Sequence, residues 1–537
     1  MKSVMTSQFS KTPNVTIPRS KFRRDHGHKS SFNAGNLVPI YVDEALPGDT
    51  FNLSVTGFAR MSTPIYPIMD NLFLDTHFFA VPMRLVWDNF VKMMGEQTDP
   101  GDSIDYQVPV FDVTAAPLST TGWWQSTLAD YMGIPTKVIG LEHSSLFHRA
   151  YNLIWNEWFR DQNLQDSLVV DRDDGPDDPA DYVMKKRGKR RDYFTSCLPW
   201  PQKGDSIELP LGDSAPVYGI GKSNTTWSAG PSTAYETAGT GADSYASYQV
   251  IDPANVSTTF KVEEDPDNAN YPGIYADLAN ATAATINQLR QSFQIQRLLE
   301  RDARAGTRYV ELIKAHFGVI SPDFRLQRPE YLGGGSQPVN INPVVQTSAN
   351  ALSGAGDQSG VGNTGAYSTT VMRNNGFTKS FTEHTIIIGL ASVRADLTYQ
   401  QGLNRMFSRS TRYDFYWPSL SMLGEQAVLN KEIYADASAN DEDVFGYQER
   451  YGEYRYKPSI VTAEMRSNAV APLDSWHLSQ EFGSLPALNS TFIEEDPPMD
   501  RIIAVLDEPD FIFDSYIKLT CARPMPLYGI PGMIDHF

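Results

Sequence analysis

From Phe51 to Arg60 the chain alternates, with Phe51, Leu53, Val55 and Gly57 on one side and Asn52, Ser54 and Thr56 on the other. A period of two is what a half-buried strand requires, because successive side chains point to opposite faces of a sheet. LFLDTHFFAV, Leu72 to Val81, continues the pattern less cleanly. It returns within His384 to Leu390, where Ile386, Ile388 and Leu390 are in phase, and within Phe511 to Thr520, where Phe513, Ile517 and Leu519 share a face. Strands at both ends of a chain, separated by long insertions, are expected of two antiparallel sheets joined by long crossings.

Three segments carry a helical period instead. Leu146, Ala150, Ile154 and Trp158 recur every four residues, and Phe147, Tyr151, Trp155 and Phe159 form an adjacent stripe. So wide an apolar face predicts a helix buried between a sheet and a neighbour. A second pattern runs from about Ala276 to Glu300, with Ile286, Leu289 and Phe293 in phase, and a third holds Tyr309, Leu312, Ile313 and His316.

The remaining stretches lack a period. Residues 1–31 carry Lys2, Lys11, Arg19, Lys21, Arg23, Arg24 and Lys29 against the single acid Asp25, which reads as a flexible basic arm. Residues 32–537 then form one domain with insertions. Segments 212–270 and 333–370 are rich in Ser, Thr, Gly and Ala and read as long surface loops. Trp227, Tyr235, Tyr245, Tyr248 and Phe260 give the first loop a means of packing on itself or on copies of the chain.

Charge narrows the function. Lys and Arg number 45 against 64 Asp and Glu, a net of −19, the wrong sign for a surface that condenses nucleic acid throughout. Any such contact is local or uses a basic helper. Aromatic residues at 12%, with 35 Pro and 38 Gly, favour strands and irregular connections over a helical bundle. Cys197 and Cys521 are too few for a disulfide framework or a thiolate metal site, and both read as reduced thiols. MKSVMTSQFSK lacks the apolar core of a signal peptide, and no apolar run approaches the ~18 residues of a membrane span.

Catalytic patterns fail on context. GDS at Gly101, Gly204 and Gly212, with DSWH at Asp474 to His477, has the elements of a GDS-type serine esterase, but each GDS follows a Pro-containing turn sequence rather than an apolar strand. GKS at Gly221 to Ser223 lacks the glycine of a phosphate-binding loop, Pro216 standing in its place. His143 and His148 are five apart and do not share a helical face as a zinc pair would. The six aspartates of Asp171 to Asp181 lack the closing glutamate of a calcium loop, that position being Tyr182. No catalytic, metal or cofactor residue is assigned.

Two charged or aromatic clusters remain as contact candidates. Lys185, Lys186, Arg187, Lys189, Arg190 and Arg191 directly follow the aspartates, so the two runs either neutralise each other in a surface loop, pair between subunits, or leave the cations for nucleic acid. RMFSRSTRYDFYW, Arg405 to Trp417, offers Arg409, Arg412, Tyr413 and Trp417 either to a protein interface or to stacked single-strand bases.

The blocks GTRYVELIKAHFGVISPDFRLQRPEYLGGG (Gly306 to Gly335), RGKRRDYFTSCLPWPQKG (Arg187 to Gly204), YQQGLNRMFSRSTRYDFYWPSLSMLGEQAVLNKEIY (Tyr399 to Tyr434) and RPMPLYGIPGMIDHF (Arg523 to Phe537) resemble major capsid proteins of the gokushovirus branch of the microviruses. The resemblance begins at FNAGNLVPIYVDEALPGDTFNLS, Phe32 to Ser54, and reaches the C-terminus. It implies a mainly β fold, the viral antiparallel jelly roll, an eight-stranded β-barrel with loop and helical insertions. It further implies self-assembly into an icosahedral shell around circular single-stranded DNA, in a virion assembled in the host bacterial cytoplasm. Its expected partners are copies of itself, a small basic DNA-binding protein, pilot and internal scaffolding proteins, and a host surface receptor met through a threefold protrusion, for which 212–270 is the candidate. Lys21, Arg23 and Arg24 of the arm join the contact candidates. The competing readings are a surface carbohydrate-binding β-protein or esterase, and a single-strand DNA binding protein that the acidic balance opposes.

Overall fold

Strands form where the alternation predicts them, and the computed structural model describes residues 18–207, 217–218, 220–222, 260–262, 275–276, 286–347 and 362–528. In chain order the first are β1 (Ser20–Arg23), β2 (His26–Phe32), β3 (Val38–Ala45), β4 (Thr50–Met61) and β5 (Leu72–Pro82). Four short strands follow, β6 (Val217–Tyr218), β7 (Ile220–Lys222), β8 (Phe260–Val262) and β9 (Tyr275–Ala276). Then come β10 (Glu330–Pro338), β11 (Asn340–Val345), β12 (Thr364–Ser380), β13 (Thr385–Ala395), β14 (Glu425–Leu429), β15 (Val444–Glu449) and β16 (Phe511–Arg523).

Two antiparallel sheets dominate. One has the order β1-β16-β4-β12-β11, with β2 continuing the β1 edge along β16; the other has the order β10-β5-β13-β3. The first and last described strands thus lie together. β4 and β16 alternate buried and exposed along most of their length, so the six-stranded sheet has one dry face and one wet face. β13 is buried at nearly every position, which marks a strand covered on both sides.

The two coverings are distinct. Leu53, Phe513 and Ile517 of the six-stranded sheet share a core with Leu74, Phe78, Ile387 and Val393 of the other, and the Phe78 and Phe377 rings meet at 5.7 Å. On the far side, Phe79, Ile386, Ile388 and Leu390 pack with Ala150, Tyr151 and Ile154 of the helix Leu146–Ile154. The wide apolar face of that helix is therefore spent on the four-stranded sheet, as its two stripes predict. Full burial of each such aliphatic side chain contributes roughly 1.5–3 kcal/mol. A third cluster, with Tyr193, Phe194, Val428, Phe445 and Phe492, gathers around β14 and β15.

The sheets close tightly at β10 and β12. A β-bulge between Met372 and Asn375 turns Asn375 inward, and its amide donates to the Thr76 hydroxyl at 3.0 Å. Gly333–Gly335 lie at this seam: a Cβ at Gly333 would stand 2.7 Å from the Gly376 carbonyl oxygen and one at Gly335 2.5 Å from the Asn375 carboxamide oxygen, while one at Gly334 would stand 2.0 Å from the Thr76 carbonyl oxygen of the paired β5. Glycine in a strand here marks the close approach of another backbone.

Several expectations change. The arm expected over 1–31 is strand from Ser20 onward, because β1 and β2 pair with β16; residues 1–17 lie outside the described residues. The loop expected over 333–370 is instead mostly β10, β11 and β12, its glycines serving the seam, with 348–361 outside the described residues. The helix expected from about Ala276 is described as Ile286–Ala305, and the next as Tyr309–Phe317, with no buried residue.

Backbone packing divides the chain into two units, Met1–Pro201 with Arg304–Phe537, and Gln202–Ala303, and the expected 212–270 insertion falls within the range of the second. Within the second unit β6 pairs β9 and β7 pairs β8; the rest of 212–270 lies outside the described residues. The sheets and helix Leu146–Ile154 belong to the first.

Candidate interaction surface

After β13 the chain runs through short turns rather than long elements, and the Arg-aromatic segment is held by them. Single helical turns span Arg405–Phe407, Arg412–Asp414 and Pro418–Leu420. The Asn404 carboxamide oxygen accepts from the Met406 amide, and Asp414 accepts from the Ser410 and Thr411 amides at 3.0 and 2.7 Å. Those amides hold the Asp414 carboxyl below its ordinary range. Asn and Asp thereby supply partners for backbone donors that so short a turn leaves open.

Arginine fixes the segment to the body. Arg405 donates to Glu432 at 2.9 Å and to the Ala427 carbonyl at 2.7 Å, and the Tyr193 hydroxyl donates to the other Glu432 oxygen at 3.1 Å. Glu432 is buried, and burial raises its carboxyl despite the opposing arginine. Arg409 stands 3.7 Å from Glu453 and lies over the Tyr454 ring at 4.3 Å and the Phe415 ring at 5.4 Å. Arg412 lies 5.4 Å from the rings of both Tyr413 and Trp417, and the Trp417 indole donates to the Arg412 carbonyl at 2.8 Å.

With the cations turned inward or set over rings, the apolar groups are left outside. Phe407 is 71% exposed and Met422 94%, with Tyr413, Phe415, Tyr416 and Trp417 exposed between them and Leu423 exposed after them. An apolar surface of this kind, rich in aromatics and rigidly backed, is the composition of an interface core rather than of a solvated face. Beside it a cavity of about 270 Å³ is lined by Tyr399, Leu403, Phe407, Tyr456 and Ile460.

The second cluster is used differently. Arg187 donates to Asp75 at 2.7 Å and Ser392 at 2.9 Å, while Arg394 meets the same carboxylate at 2.6 Å. Lys186 pairs with Asp496 at 2.8 Å, Arg190 with Asp396 at 2.9 Å, and Arg191 with Asp161 at 3.7 Å. Lys189 donates to Gln480 and the Phe492 carbonyl, and burial pushes its ammonium down to about 8. The Lys185 amide donates to the Tyr151 hydroxyl.

The aspartate run does not neutralise them. Asp177 binds the fully buried Arg149, which also meets Asp173, and Asp174 accepts from Trp87 and Asn89. Bridges Asn36↔Lys186 and Gly188↔Glu494 thread the basic run through the body. It is not the self-neutralised surface loop that adjacency suggested. Sequence reasoning missed every carboxylate partner, since Asp75, Asp396, Asp496, Glu432 and Glu453 are distant in sequence and carry no local pattern.

Of the N-terminal candidates, Arg24 forms a two-point pair with Asp43 at 2.7 and 3.0 Å and Arg23 pairs with Asp25, while Lys21 is exposed. The esterase geometry is not assembled around His477. Its Nε2 faces the Met465 carbonyl at 2.6 Å and its Nδ1 accepts from the Ser479 amide at 3.1 Å, so neither ring nitrogen is left to activate a serine hydroxyl.

Comparison with known proteins agrees along the whole chain. A family described as "Capsid protein (F protein)" matches residues 10–533. The chain is 47% identical over 537 residues to a capsid protein VP1 of Bdellovibrio phage phiMH2K, covering 98% of each. It is 44% identical over 597 residues to that of Chlamydia phage 1, covering 99% of this chain and 98% of the relative. To that of Spiroplasma virus 4 it is 38% identical over 547 residues, covering 98% and 97%.

Proposed function

The chain belongs to the microvirus capsid protein (F protein) family, and from that premise we propose that its exposed Arg405–Leu423 surface is a subunit contact in a closed icosahedral shell around single-stranded DNA. Its role is that of a major capsid protein of the virion, structural rather than enzymatic. The family points to the eight-stranded jelly-roll barrel as the finer description of the two packed sheets.

The observation that carries the contact is the aromatic ridge from Phe407 to Leu423, backed by Arg405 and Arg409. Trp417 is hydrogen-bonded to the Arg412 carbonyl, Phe415 lies under Arg409 and Tyr416 packs on Tyr451 and Tyr454, so these rings lose less side-chain entropy on association. The neighbouring cavity of about 270 Å³ has room for an aromatic anchor from another copy. Closed symmetry repeats each contact around the shell, and modest contacts sum to a stable particle.

The remaining parts rest on the family alone. A small basic protein supplies the charge that a −19 subunit lacks. Pilot and internal scaffolding proteins assist assembly, and the 212–270 segment forms the threefold protrusion that meets a host receptor.

The test is co-expression of Phe407→Ser, Trp417→Ser and the unaltered chain with their companion proteins, followed by sedimentation. Loss of the fast particle in the variants, with subunits still folded, is the expected result. Particles at wild-type yield from both variants would remove this surface from the assembly account.

A further inference from the structure

The six-stranded sheet leaves its outer face to solvent, and that face has the sign opposite to the chain as a whole. Tyr516 is 52% exposed and Phe58 45%, with Ile512 and Val371 exposed beside them. Register places Lys29, Asp514, Phe58 and Val371 in one row across β2, β16, β4 and β12. Rows about 7 Å to either side hold Ile512 beside Arg60, and Tyr516 beside Thr56. Farther along stand Lys518 beside Ser54, then Thr520 flanked by Arg23 and Asn52.

The charges on this face fall into two kinds. Lys29 is paired with Asp514 at 2.9 Å and Arg23 with Asp25. Lys21, Arg60, Arg373 and Lys518 are exposed, and none forms an ion pair or side-chain hydrogen bond with another described residue. Cations left open between aromatic rings are unlike a protein contact, whose core is depleted in lysine. They match a strand of phosphates carrying unpaired bases, which stack on rings while basic side chains track the backbone. A duplex fits less well, because its bases are already stacked and a flat sheet face enters neither groove.

We propose that this outer sheet face binds single-stranded DNA, with bases stacked on Phe58 and Tyr516 and phosphates held by Arg60, Lys518 and Lys21. The site deepens the capsid reading and rests on it for the source of the strand, the enclosed genome. It also places that face on the inside of the shell.

The direct experiment measures binding of a labelled oligothymidylate to the full chain across a salt series. Tyr516→Ala and Phe58→Ala each weaken binding by about fivefold to a hundredfold. Arg60→Ala with Lys518→Ala lowers the salt slope by about 1.4, the value for two phosphates on a single strand. Unchanged affinity and slope in all of these variants overturn the proposal.

Assembled particles separate this proposal from the capsid reading. If the variants form shells with less nuclease-protected DNA, the site stands; if their shells hold the full complement, the site fails and the capsid reading survives. Variants that fold but form no shell, with oligothymidylate binding intact, assign the face to a second copy of the chain and overturn the proposal. Where a variant does not fold, ultraviolet crosslinking of unaltered particles decides. Crosslinked peptides from β4 and β16 support the site, and crosslinks confined to other segments refute it.

Discussion

Arg405 Nη1 lies 2.9 Å from Glu432 Oε1 across 27 residues of sequence, and this pair carries the exposed ridge that begins two residues later at Phe407. Removing one partner strands the other. Arg405→Met leaves a buried carboxylate uncompensated and is expected to cost about 3 kcal/mol. Glu432→Gln added to it restores much of the loss. Burial already raises Glu432, so without Arg405 its carboxyl rises further, and the deficit of the single variant shrinks as pH falls and the group takes up a proton. Denaturant melts of both variants at neutral and mildly acid pH check this.

The ridge itself is expected to matter to assembly and not to folding. Phe407→Ser and Met422→Ser change exposed side chains, so the melting of the isolated subunit shifts by no more than about 0.5 kcal/mol. Particle yield falls in both. Equal losses of folding and of particles would instead make the ridge part of the subunit's own core.

The buried His148 and the half-buried His77 set an acid limit. His148 lies among Phe111, Trp123 and Tyr182, its ring nitrogens have no hydrogen-bond partner among the described residues, and burial pushes it down to about 3. Burial pushes His77 down to about 4, with Arg187 acting in the same direction. The unfolded chain takes up protons at these residues near pH 6.5, where the folded chain does not. Each therefore contributes stability that is full above about pH 6.5 and is lost as pH falls, by about 1.4 kcal/mol per unit. His148→Leu should flatten the fall between pH 6.5 and 4.5 by one histidine's share. A parallel fall in variant and parent would contradict the assignment.

The close pairing of β10 with β5 makes a steric prediction. A Cβ at Gly334 would stand 2.0 Å from the Thr76 carbonyl oxygen, while one at Gly101 meets nothing within 4 Å. Gly334→Ala is expected to cost at least about 2 kcal/mol through backbone displacement, and Gly101→Ala close to nothing. Thermal melts of the pair show whether β10 lies as close to β5 as the geometry requires.

What the sequence made legible divides along physical lines. The Phe51–Arg60 alternation, the Ile386–Leu390 phase and the twin stripes of helix Leu146–Ile154 each report a local environment, and each appears where it was expected. Gly333–Gly335 was misread as a loop because glycine serves both a turn and a close approach, and only the tertiary partner tells them apart. β1 and β2 were misread as a free arm because their partner, β16, is some 490 residues away. The basic run at Lys185–Arg191 shows the same limit: its charge was visible, but its counterions were not. Arg409, Arg412, Tyr413 and Trp417 do cluster, with their arginines over rings. Phe58 and Tyr516 were passed over because, in an alternating strand, an exposed aromatic reads as noise until its cross-strand neighbours are known.

Sedimentation of native particles, with nuclease treatment and absorbance at 260 and 280 nm, tests the central claim most directly. A homogeneous particle of megadalton mass that contains this chain and protects DNA is the predicted result. A species of one or a few chains that never assembles, even with its companion proteins present, would contradict it.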